Sequence, residues 1–210
     1  MLNRFYFKMN LAGYLLCLSG CVPVFSDLQS ARNVGQGMVE VTPGISRHYI
    51  VGSDNSENIQ QNVGVQLAYG LTSRLDFRLR YEFLRNGFGS SGARVVGLGL
   101  KYGILPDVLA IYVPVGGIIN LDYEERYFQT QPTLLLTLPV LANKLELNTA
   151  AKSIFYLEDG SNMNLAWNIG LGMSSNLKKW ALRPEYGRLY ELRSTGAPYS
   201  QFSLGFSWVF

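Results

Sequence analysis

From Gly37 to Phe210, apolar and polar residues take turns along the chain. A period of two is the mark of a β-strand with two unlike faces. The clearest run is 74–85, where Leu75, Phe77, Leu79, Tyr81 and Phe83 alternate with Asp76, Arg78, Arg80 and Glu82. The last run begins at Tyr199 and sets Phe202, Leu204, Phe206, Trp208 and Phe210 against Ser203, Gly205 and Ser207. Ten such runs predict strands near 37–49, 60–71, 74–85, 93–104, 108–120, 126–140, 144–157, 163–174, 179–192 and 199–210. Pro114, Pro132 and Pro139 mark the fifth and sixth as strands that bend or end early, because proline removes a ladder donor.

The connections alternate between two kinds. Those at 71–74, 105–107, 142–144 and 174–177 are compact turns, whereas 50–59, 86–92, 121–125, 158–162 and 193–198 are polar and mostly longer. The hairpin repeat this makes, roughly 35 residues, shows in Tyr69-Gly70-Leu71 and again in Tyr102-Gly103-Ile104. Short turns at one end and longer loops at the other fit an up-and-down transmembrane barrel.

Alternation alone leaves the inside face open. A lipocalin-like barrel would turn the apolar face inward around a ligand. Tyr69, Tyr81, Tyr102, Trp180 and Tyr190 on the apolar face suit an interfacial girdle instead, and glycines 64, 70, 97, 99, 103, 170, 172 and 205 share the polar face. Composition points the same way. Charged residues are 16% of the chain, against about 25% in soluble domains, yet no window approaches the roughly 18 apolar residues of a spanning helix.

The amino terminus has the form of an export signal, with Arg4 and Lys8 ahead of an apolar stretch, Leu11 to Leu18, and small residues after it. Loss of Arg4 and Lys8 with the signal leaves 16 basic against 15 acidic residues, which excludes a nucleic-acid footprint. Leu18-Ser19-Gly20-Cys21 resembles the lipobox of bacterial lipoproteins. The resemblance implies cleavage before Cys21, acylation (palmitate among the chains) on that residue, and, with Val22 rather than Asp next, an outer-membrane address. Residues 1–20 are then the signal, 21–36 a lipidated tether, and 37–210 the barrel. An even strand count is expected to put both barrel termini on the periplasmic side.

The phrase Tyr69-Gly70-Leu71-Thr72-Ser73-Arg74-Leu75-Asp76 looks like a periplasmic hairpin of small outer-membrane β-barrel proteins. Phe206, Trp208 and Phe210 resemble the carboxyl-terminal signal that the barrel-assembly machinery reads. The resemblance implies that machinery and outer-membrane lipid as partners, with other envelope proteins as further candidates.

The inward face is expected to carry Glu40, Asp76, Arg78, Arg80, Glu82, Lys101, Glu146, Lys152, Arg183 and Glu185, with Glu191 at its edge. Signs so nearly balanced suit either a selective pore lining or a plug in which opposite charges pair; ten strands lie near the size at which side chains fill a barrel. In the plug, Arg78 and Arg80 are expected to reach carboxylates such as Glu146 or Glu185. Ser46, His48 and Glu40 share a face and raise a nucleophile reading, as in lipid-processing barrel enzymes. Side chains two apart on a strand stand about 7 Å apart, too far for the required hydrogen bond, so no enzyme is expected. The acidic loops Asp122–Glu125 and Glu158–Asn162 lack the ligand count of a cation site, and no cofactor motif is present. The expected role is a structural or accessory envelope subunit with an occluded lumen, with a small-solute channel as the alternative.

Overall fold

A computed structural model describes residues 24–51, 56–86, 91–120, 125–157, 163–192 and 198–210. Every regular element among them is a strand: β1 (Val39–Val51), β2 (Ser56–Gly70), β3 (Leu75–Asn86), β4 (Ser91–Leu105), β5 (Leu109–Asn120), β6 (Glu125–Thr130), β7 (Thr133–Leu141), β8 (Leu145–Tyr156), β9 (Met163–Met173), β10 (Trp180–Glu191) and β11 (Tyr199–Val209). Each pairs antiparallel with its neighbours, and β1 pairs with β11, so the sheet closes on itself. At the seam Val39 and Phe210 exchange backbone hydrogen bonds of 3.0 Å in both directions.

The barrel has ten staves, because β6 and β7 share one position between β5 and β8. The register does not slip across the gap: Val115 faces Thr130 above it and Tyr112 faces Thr133 below. Proline explains the gap. Pro132 cannot donate, and Pro114 stands opposite Gln131 on β5, so two ladder donors are missing in one place. Pro114 O instead accepts from Gln131 N and Thr130 Oγ1. Pro139 stays within β7, beside a register shift.

The alternation holds around the ring. Leu79, Leu98, Leu134, Ile169 and Leu204 are exposed on the outer wall, while Arg78, Lys101, Glu146 and Arg183 are buried inside. Aliphatic residues dominate the middle of the wall and aromatic pairs gather toward its ends. Trp180 stacks on Phe206 at 5.9 Å near the short turns, and Tyr186 packs on Phe202 at 4.9 Å toward the long connections. The turns are tight because Asp107 and Asn143 adopt left-handed φ values of 61° and 55°, which Asp and Asn tolerate better than most residues.

Candidate functional site: the filled lumen

The chain ahead of β1 lies inside the barrel. Residues 24–31, read from the sequence as part of a tether from the lipid to the barrel, are all buried, at 5% exposure or less. Val24 packs with Leu84, Ala93, Val95 and Ile118 near the long-connection end. Phe25 packs with Ile154, Ala166 and Leu189 at the same end, and edge-on to His48. Ala31 sits lower, with Ala110, Tyr112 and Leu135. The segment leaves at the short-turn end, where Gly37 N donates to Gly70 O at 2.8 Å. Gly35 and Gly37 turn it into β1 with φ of 102° and 74°, values that L side chains rarely adopt.

An extended segment inside a barrel has no ladder of its own, so its peptide groups need partners from the wall. Seven of the ten staves contribute. Asp27 N and Leu28 N both donate to the Glu185 carboxylate, at 2.9 and 2.9 Å for the shorter contacts. Leu28 is left-handed, with φ 50°, which aims the two successive N–H groups at one anion. Lys152 Nζ donates to Phe25 O at 2.9 Å and to Asp27 Oδ1 at 2.8 Å, and Asn168 Nδ2 donates to Phe25 O and Asp27 Oδ2, both at 2.6 Å. Gln131 Nε2 donates to Val24 O, Gln66 Nε2 to Asp27 O, Arg80 Nη1 to Ser26 O, and Lys101 Nζ to Ser30 O and Arg32 O. Ala31 N donates to Thr137 Oγ1, Arg32 Nη2 to Glu146 Oε2, and Val34 N to Asp76.

The wall charges also pair with one another. Arg78 meets Glu40 at 2.9 Å, Arg80 meets Glu82 on its own strand at 2.6 Å, Lys101 meets Asp76 at 3.2 Å, and Arg183 meets Glu146 at 3.1 Å. The expected reach of Arg78 and Arg80 to Glu146 or Glu185 is therefore not what the structure shows. Glu146 is taken by Arg183 and Arg32, and Glu185 by the peptide groups of Asp27 and Leu28. The inserted segment stands between those strands. Charge-assisted contacts of this kind are the strong ones in a dry interior.

Glycines on the inner wall make room for the segment. The Leu28 side chain lies over Gly44 and Gly205, which face each other across the seam. Gly70 is approached more closely still: a Cβ there would fall 1.8 Å from Gly35 O. Gly70→Ala is thus expected to lift the lower end of the segment, lowering the melting temperature and exposing residues 31–36 to protease. A variant as stable and protease-resistant as the wild type would contradict this contact. A cavity of about 30 Å³ borders the segment, lined in part by Gln29, Arg80, Tyr112, Gln129 and Lys152. A water needs roughly 10–15 Å³ of such space, so the cavity has the size for water and not for a solute.

His48 Nε2 lies 2.9 Å from Asn62 Nδ2, and its ring rests against Phe25. Ser46 and Glu40 are buried on the same strand, with Glu40 bound to Arg78. Cys21 lies outside the described residues, as do the loop side chains of 122–125 and 158–162. Among the described residues no group of three His, Cys, Asp or Glu is placed to hold a metal ion. Phe206 and Trp208 are exposed on the outer face of β11, and Phe210 closes the seam. Sequence reading missed Gln66, Gln131, Asn168 and Thr137, whose neutral side chains carry no charge signal, and Asp27 and Arg32 in the segment. The glycines clustered on one face were the available clue that something must lie against them.

No family model matches the chain, and no curated protein matches it in sequence. Several solved structures resemble it. The translocator domain of the autotransporter NalP from Neisseria meningitidis is 10% identical with a TM-score of 0.46, over 84% of this chain and 89% of that one. An outer-membrane channel from Pseudomonas putida F1 is 10% identical with a TM-score of 0.44, over 89% of this chain and 100% of that one. Ail, the attachment invasion locus protein of Yersinia pestis, is 12% identical with a TM-score of 0.37, over 83% and 99%.

Proposed function

We propose that the protein is a lipid-anchored outer-membrane β-barrel, closed by its own amino-terminal segment, that serves as a structural or accessory subunit of an envelope complex. One observation carries the closed-barrel reading: the segment from Val24 to Gly35 fills the lumen and is bonded to the wall along its length. The membrane reading rests on the wall. Its middle is aliphatic and exposed, its ends are aromatic, and its strands mostly exceed the roughly 9–11 residues that cross a bilayer at a tilt. Closure leaves no open edge for the hydrocarbon to meet. The lipid on Cys21 is supported by the lipobox-like tetrapeptide, and insertion by the assembly machinery by the aromatic end of β11. In this reading the strand ends Val39 and Phe210 face the periplasm, and no catalytic role falls to Ser46 or His48.

The purified protein in a planar bilayer is expected to be silent. A steady current from the wild type would favour the second reading, a small-solute channel. Its supporting observation is a lumen wall rich in neutral polar side chains, among them Gln60, Asn62, Asn168 and Gln201, which would suit water if the segment withdrew. The membrane reading has its own check. Leu204, at the middle of β11, and Trp208, near its end, both face outward. Leu204→Arg is expected to cost about 2–4 kcal/mol of folding stability in vesicles and Trp208→Arg only about 0–1. Equal, negligible costs would mean the wall does not face hydrocarbon.

A further inference from the structure

Both ends of the ring of strands, Val39 and Phe210, lie at the short-turn end, yet the described chain starts at the other. Val24 belongs to one core cluster with Ala93 and Ile118, each two residues inside the long-connection ends of β4 and β5 at Ser91 and Asn120. Phe25 clusters with Ile154 and Leu189, two residues inside the matching ends of β8 and β10. The descent is ordered: Ser26 at Arg80, Asp27 at Glu185, Ala31 at Thr137, Arg32 at Glu146, Val34 at Asp76 and then Gly70 beside Gly35. These contacts leave one direction of travel.

Cys21 stands three residues ahead of Val24, and three residues reach at most about 11 Å. The rim is two strand residues from the level of Val24, about 7 Å. The opposite end is out of range: Gly103, which borders Asn33, lies ten residues farther along β4 than Ala93, or about 33 Å before tilt. Cys21-Val22-Pro23 carries no charged side chain. The cavity beside the segment, about 30 Å³, is too small for an acyl chain.

We infer that the mature amino terminus leaves the barrel at the long-connection rim, so that its lipid enters the outer leaflet, across the membrane from Val39 and Phe210. The location of the lipid rests on the lipid-anchored membrane reading above; the exit of the chain rests on the descent alone. The partner of the terminus is therefore the acyl region of the leaflet that borders the long loops, beside the rim of β3 to β5.

Single thiols test this in intact cells expressing the full chain, with a membrane-impermeant maleimide. Asn58 is exposed near the long-connection end and Lys178 is exposed in a short turn, so Asn58→Cys and Lys178→Cys report the two sides. Val22→Cys, or Pro23→Cys if the first is not processed, reports the terminus. It is expected to label as fully as Asn58→Cys, with Lys178→Cys labelling only after permeabilisation. Labelling that appears only after permeabilisation, together with Lys178→Cys, would overturn the inference. If Asn58→Cys and Lys178→Cys behave alike, the membrane-spanning reading falls and takes the inference with it. Labelling of the wild type would reveal a free Cys21 thiol, removing the lipid while the outward exit still stands or falls by the engineered thiols.

Discussion

Deleting residues 24–34, so that Pro23 runs directly into Gly35, is expected to convert a silent barrel into a conducting one. The segment is buried inside the ring over residues 24–31, and wall charges also pair with one another, as Arg78 does with Glu40 and Arg80 with Glu82. Water would replace the segment and solvate Lys152 and Glu185, which lose Asp27 and the two peptide donors. The ladder between staves does not use the segment, so the ring survives. Once hydrated, each wall ion pair is worth only about 0–1 kcal/mol. The opened wall carries Arg78, Arg80, Lys101, Lys152 and Arg183 against Glu40, Asp76, Glu82, Glu146 and Glu185. Equal numbers of each sign predict little preference between anions and cations. Single-channel recording in a planar bilayer measures both. A folded deletion variant that stays silent would mean the wall side chains close the lumen unaided.

Asp27→Ala is expected to be the most destabilising single change in the segment, at about 3–5 kcal/mol, the usual cost of leaving a buried charge without its partner. Lys152 would keep only the Phe25 carbonyl, and Asn168 would lose one acceptor. The charge is the cause, so Asp27→Ala combined with Lys152→Met should recover most of the loss, because a methionine fills similar space without needing an acceptor. Chemical unfolding of the four members of this cycle in vesicles isolates the coupling. Additive losses would show that Asp27 acts through packing and not through Lys152.

The ten staves were legible because each carries its own two-faced pattern, and a period of two survives whatever the strand packs against. The break in the weak sixth stave was marked by Pro132, whose missing donor is a local property, whereas β5 and β7 continue through Pro114 and Pro139. The lumen was legible only in part. Parity along each strand placed Asp76, Arg78, Lys101 and Glu146 inside, but parity does not say which charges meet across a ring. Arg80 found Glu82 two residues away, and Glu146 found Arg183 and the segment's Arg32. The segment itself has no periodicity, and its Ser, Gln, Asn and Asp read as a solvated linker. What draws it inside is a set of partners 39 to 158 residues away in sequence, from Gln66 to Glu185, both of which bind the backbone of Asp27. No local rule reports such distances.

A thread through a closed ring is also a mechanical joint. The segment is continuous with β1, and β1 completes the ring by pairing with β11, the last strand of the chain. With a lipid already on its amino terminus, the thread would have to be in place before the seam shuts. Afterwards it can leave only lengthwise, drawn back toward the short turns with its amino terminus trailing through the lumen. A lipid on that terminus, beyond the far rim, would act as the stopper of a rotaxane: pulling on the thread would tighten the stopper against the rim. Release would then require parting β1 from β11, so the lifetime of the closed state would follow the seam and not the hydrogen bonds of the thread.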